Sequence, residues 1–264
     1  MKVRGFVHVL KAIEPRIGEV VIVGGWAWYL SRKYLTGSAG LPGEFTLDVD
    51  VALPRPLPHG RGLDLLLEDA AFEEDMTGEN TPPVTRYAWP SREEPEAVVD
   101  FLTPARGAGT EATLRTGGVV AQQLRTLDVL LEAPLVLPID ETSETESFAG
   151  AVRVPRLGAF LLQKVQTLSS RRAIKRDKDL FYIFDLADEG RGLREMIKTD
   201  TEQIRLKKHG APSLEAAALL LRRDCGQATS SAVAKVMEQI PQEQRPSRDY
   251  VAETFNRLAV IFEG

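Results

Sequence analysis

The chain has 264 residues, 43% hydrophobic and 27% charged, with 33 Lys and Arg against 38 Asp and Glu and a formal net charge of −5. That composition excludes a globally disordered or fibrous chain, and the acidic total excludes a protein that coats nucleic acid with its whole surface. The single cysteine, Cys225, leaves no intrachain disulfide and no cysteine-based zinc site, which fits a reducing cytoplasm.

Residues 1–11 lack the long apolar core and cleavage site of a secretory signal. No apolar run approaches the ~20 residues that span a bilayer, so a cytoplasmic protein without a membrane partner is expected. Residues 5–14 are predicted helical, stopped near Pro15. EVVIVGG then reads as a buried strand ending in two glycines, followed by the aromatic helix WAWYLSRKYL. TGSAGLPGE is a turn-rich loop, and FTLDVDVAL is a strand with clear period-two alternation. PRPLPHGRG breaks that strand, and LDLLLEDAAFEED is predicted helical. VTRYAWP, AVVDFL and the region around LDVLLEAPLVLPI supply further strands, and ETSETES (141–147) is the most loop-like stretch. From Leu157 onward the apolar spacing is mainly helical. The expectation is an α/β (α+β) N-terminal domain over 1–150, a mixed sheet with flanking helices, followed by a mainly helical domain over 151–264.

Charge is uneven along this order. Residues 61–100 hold three arginines against eleven acids, a local net of −8. Residues 151–210 hold 14 Lys and Arg against eight acids, a local net of +6. Two solvated faces would give this pattern, and so would a local anion-binding region.

In FTLDVDVAL the odd positions are all apolar, so Asp48 and Asp50 project together on the opposite face. Two carboxylates about 7 Å apart on one strand can share a hard divalent cation. A solvated edge strand is the plainer reading, but Asp100 inside the apolar run VVDFL needs a site or a partner of its own. Gly24 and Gly25 close a strand and open a helix, where backbone N–H groups can hold a phosphate. The turn is neither a dinucleotide fingerprint nor a P-loop. Trp26, Trp28 and Tyr29 either stack a base or, more commonly for such a cluster, fill the core. His8, His59 and His209 have no metal-ligand spacing to one another, and Cys225 has no nucleophile signature.

Val23-Gly24-Gly25-Trp26-Ala27, Thr46-Leu47-Asp48-Val49-Asp50 and the lone Asp100 resemble the polymerase-β-type nucleotidyltransferase fold, with its GG or GS turn, D-x-D strand and third carboxylate. Residues 152–164, VRVPRLGAFLLQK, resemble the start of the helical part of AbiEii-like nucleotidyltransferases, which include toxins of abortive-infection toxin–antitoxin systems. Arg171, Arg172 and Lys178-Asp179-Leu180-Phe181 are similar to that group's following basic helix. The chain departs from the pattern in its long interval between Gly25 and Asp48, in Trp26 after the glycines, and in Tyr182 where a second acid is usual.

The resemblance implies Mg²⁺ held by Asp48 and Asp50, with Asp100 as base or further metal ligand. Gly24, Gly25 and Thr46 would support the triphosphate of an NTP. It also implies that Lys164 offers a charge to the phosphates, oriented by Asp179 or, in a shifted register, Asp177. Spacing alone favours a snorkelling surface lysine on an amphipathic helix for Lys164, and only the resemblance reverses that. Arg171, Arg172, Lys175 and Arg176 would edge a groove for RNA, consistent with a tRNA 3′ end. The implied function is transfer of an NMP to an RNA hydroxyl by a toxin with a cognate antitoxin. Transfer to a small molecule or protein, or a non-catalytic nucleotide-binding relative, are the alternatives.

Overall fold

In a computed structural model the residues described are 3–37, 47–78, 82–107 and 112–264. The chain forms two compact units: Met1–Leu30 with Glu44–Pro155, and Ser31–Gly43 with Arg156–Gly264.

The first unit is built on a mixed sheet. Its strands are β1 (Val21–Ile22), β2 (Asp48–Ala52), β3 (Glu73–Thr77), β4 (Val84–Trp89), β5 (Ala97–Pro104), β6 (Thr113–Thr116) and β7 (Val119–Leu124). The path runs β1-β2-β5-β4-β3, and β7 joins β5 beyond the end of β4. β2 and β5 are parallel, whereas the β1–β2, β4–β5 and β3–β4 pairs are antiparallel. Alternation gives the sheet two unlike faces: Val49, Val51, Tyr87, Val99 and Phe101 are fully buried, whereas Asp48, Asp50, Arg86 and Asp100 are partly exposed.

Helix α1 (Val3–Ala12) buries Phe6, Val7, Val9 and Leu10 as its apolar face. Phe6 stacks on Trp26 at 3.9 Å between ring centroids, at the start of α2 (Gly24–Thr36). Trp26, Trp28 and Tyr29 are all buried, so this aromatic cluster is core.

The predicted helix over 63–75 ends early. Helix α3 spans only Leu63–Asp69, and Glu73 already belongs to β3. The Ala71 N–H bonds to the Glu68 carbonyl and the Phe72 N–H to the Leu67 carbonyl, with Ala71 at φ 62°. This Schellman closure satisfies the last carbonyls of α3 and turns the chain into the strand. Asp128–Leu131 form a helical turn, α4, rather than a strand. Strands β8 (Leu135–Thr142) and β9 (Ser147–Val154) make a separate hairpin, with ETSETES at its turn.

The second unit is helical: α5 (Leu157–Thr167), α6 (Ala173–Ala187), α7 (Arg194–Arg205), α8 (Gly210–Asp224), α9 (Ser231–Gln239) and α10 (Arg248–Glu263). Helix α5 is buried without a break from Leu157 to Val165, as expected of a helix surrounded by its neighbours. Ser230 and Ser247 cap α9 and α10 by accepting hydrogen bonds from the Val233 and Tyr250 N–H groups. The expected fold class, a mixed α/β sheet with flanking helices and a helical C-terminal region, is the one observed.

Candidate active site

The carboxylates predicted on β2 and β5 share a face because of strand register. Asp50 of β2 lies directly beside Asp100 of β5, and Asp48 stands two residues before Asp50 on the same face. The row continues through β4 and β3, since Arg86 is the cross-strand partner of Asp100 and Asp75 that of Arg86. The row across the sheet therefore reads Asp50, Asp100, Arg86 and Asp75: Arg86 has an acid on either side, the favourable arrangement for directly opposed charges, whereas Asp50 and Asp100 are like charges side by side.

Arg86 grips the cluster. Its Nε donates to Asp100 Oδ1 at 2.6 Å and its Nη2 to Asp100 Oδ2 at 2.8 Å, a bidentate fork. The same Nη2 reaches Asp48 Oδ1 at 3.3 Å. Burial opposes the Arg86 charge, but the bonds to Asp100 and the charges of Asp100, Asp48 and Asp75 outweigh it, holding the guanidinium above its ordinary range.

Gly24 completes this corner. Its φ of +66° lies in the left-handed region, and a Cβ there would overlap Asp50 Oδ2 and sit 3.0 Å from its Cγ. The Val23 N–H donates to the Asp50 carbonyl at 2.9 Å, fixing the turn against β2. Gly25 follows as the second residue of α2, whereas Thr46 lies outside the described residues. Asp48, Asp50 and Asp100 present hard oxygen donors of the type Mg²⁺ takes, and a cation, the Arg86 guanidinium, already bridges two of them. The donor set thus suits a divalent cation in chemistry. Among the described residues, however, no group of three or more His, Cys, Asp or Glu side chains is arranged to hold a metal ion.

In the second unit Lys164 is only 4% exposed, which rules out a snorkelling surface lysine. Its Nζ donates to Asp179 Oδ1 at 2.5 Å and lies 5.4 and 5.6 Å from the Phe160 and Tyr182 ring centroids. Asp179 is also paired with Arg171, at 3.2 Å. Asp177 instead faces Arg176 at 3.7 Å, so Asp179 is the acid that meets Lys164. Arg172, Lys175 and Arg176 are exposed at the start of α6, whose N-cap, Arg172, offers no side-chain acceptor.

Sequence reasoning passed over two features. One is Arg86, although a lone arginine inside VTRYAWP, in a stretch with only three arginines, was a readable sign. The other is a buried network in which Asp185 meets Arg32 at 3.1 Å and Arg191 at 2.9 Å. Burial lowers the pKa of Arg32 and Asp185 opposes that shift. No local pattern announces this pairing, because Arg32 and Asp185 lie far apart in the chain.

Compared with known proteins, residues 2–195 match a family model described as Nucleotidyltransferase. No curated protein and no solved structure matches the chain.

Proposed function

Because the chain belongs to this nucleotidyltransferase family, a family of enzymes acting on NTPs, we propose that it moves an NMP from an NTP to a hydroxyl of RNA, the tRNA 3′ end first, as an AbiEii-like toxin. The observation that carries the reading is the strand register that sets Asp48, Asp50 and Asp100 on one face beside the Gly24 turn.

The acceptor oxygen attacks the α-phosphorus, the bond from that phosphorus to the β-phosphate bridge breaks, and pyrophosphate leaves. Asp100 takes the hydroxyl proton, a role within reach of a carboxylate one strand from Asp50. Asp48 and Asp50 hold the divalent cation, Mg²⁺, which when bound neutralises charge on the phosphates. Backbone amides at Gly24 and Gly25, in the first turn of α2, support the triphosphate, and Thr46 is proposed with them. The resemblance gives the Lys164–Asp179 pair the part of supplying positive charge to the phosphates, which predicts a raised KM for NTP in Lys164→Met.

RNA is favoured as acceptor over a small molecule by the +6 charge of residues 151–210 and the exposed Arg172, Lys175 and Arg176, with Arg171 beside them. An antitoxin partner follows from the toxin reading. Cytoplasmic action is part of the same proposal, and among the described residues no helix is long and apolar enough to cross a membrane. The test is incubation with each α-labelled NTP, Mg²⁺ and total cellular RNA. Label on tRNA supports the proposal. Label on protein or small molecules selects the alternative acceptors, and no label with any NTP refutes transfer.

A further inference from the structure

The Arg86 fork already sets one positive charge against the carboxylate cluster, on Asp100 and Asp48. Both oxygens of Asp100 are engaged, Asp48 is touched by the same Nη2, and no metal-holding group is assembled among the described residues. A divalent cation that uses Asp48 or Asp100 must compete with that guanidinium for the same lone pairs. The row across the sheet offers a second place for it. Asp75, directly opposite Arg86 on β3, lies on the side away from Asp100.

We propose that Arg86 is the resident counter-cation of the Asp48–Asp100 pair, that a divalent cation loads by displacing it, and that Asp75 receives the displaced guanidinium. Arg86 is then a positioning residue that sets the threshold for metal loading. The proposal rests on the reading of Asp48, Asp50 and Asp100 as the metal-holding acids. Binding to a protein whose competent state is a minor fraction is weakened by that fraction. Removing the competitor restores the full affinity.

The experiment titrates Mn²⁺ into the full-length protein without nucleotide and reads free Mn²⁺ by electron paramagnetic resonance. Arg86→Gln is expected to bind Mn²⁺ about tenfold or more tightly than the wild type, because the bidentate competitor is gone. Arg86→Lys, which keeps the charge but loses the fork, is expected to fall between them and serves if the glutamine variant does not fold. Asp75→Asn is expected to weaken binding a few-fold by removing the receiving acid, and an unchanged affinity there overturns the transfer to Asp75. Asp48→Asn, in the wild-type and Arg86→Gln backgrounds, must abolish the site. Mn²⁺ binding that depends on Asp48 but is equal or weaker in both Arg86 variants overturns the competition and leaves the metal reading standing. Absence of any Asp48-dependent binding overturns both.

Discussion

Gly24→Ala separates the placement of Asp50 from the stability of the fold. The left-handed φ of +66° costs an alanine about 1–2 kcal/mol. The new Cβ would also overlap Asp50 Oδ2 and approach the Asp50 Cγ and Cβ to 3.0 and 3.3 Å. The carboxylate has to rotate away, so the larger effect falls on catalysis, where a misplacement of about 1 Å can cost 10²-fold. Gly37 is the control, because its φ is +70° but nothing lies within 4 Å of its added Cβ. Gly37→Ala meets the backbone penalty alone. Thermal melts should show both variants lowered by roughly 2–8 °C, at about 2–4 °C per kcal/mol. Nucleotide incorporation should fall about 10²-fold in Gly24→Ala and stay near wild type in Gly37→Ala. A Gly24→Ala protein with incorporation within threefold of wild type would refute the reasoning, because Asp50 would then have no need of its present position.

Lys164→Met leaves Asp179 paired with the partly exposed Arg171, and breaking a buried pair costs about 3–5 kcal/mol, read by urea denaturation. Adding Asp179→Leu should recover most of that loss, and a single variant within 1 kcal/mol of wild type would contradict the buried pairing. Burial pushes the Cys225 thiol up to about 12, with the Asp224 charge adding to the shift, so the native protein should give no thiol titre with an aromatic disulfide reagent at pH 8 and one equivalent once unfolded. The neutral thiol's contribution to stability is fully present below about pH 9 and is lost as pH rises from 9 towards 12, because the unfolded thiol ionises first. Arg16, 3% exposed, donates to the Pro58 and Arg61 carbonyls and to Glu19, so Arg16→Ala should cost about 1–3 kcal/mol and open the 54–62 loop to limited proteolysis.

Much of the site was legible because it rests on strand periodicity. The alternation in FTLDVDVAL was sufficient to put Asp48 and Asp50 on one face, and β2 spans Asp48–Ala52 within it. Asp100 was legible as an acid out of place in an apolar run, but its partner was not. The Arg86–Asp100 pairing depends on the register of β4 against β5, which a period-two pattern leaves open. Lys164 shows the same limit: Phe160 lies one turn before it on α5, but Asp179 and the Tyr182 ring belong to α6, and only the packing of the two helices brings them to it. The end of α3 escaped notice because Ala71 adopts the left-handed angle more usual for glycine, so no breaker marked the turn.

The central claim is that Asp48 and Asp50 support transfer of a nucleotidyl group. Its most direct test is a single-turnover comparison of wild type with Asp48→Asn and Asp50→Asn, using NTP labelled at the α- or the γ-phosphate, Mg²⁺ and cellular RNA. The account predicts that α-label and not γ-label reaches the acceptor, and that either variant lowers the rate by more than about 10²-fold while melting near the wild-type temperature. Wild-type rates in both aspartate variants, or transfer of the γ-label, would contradict it.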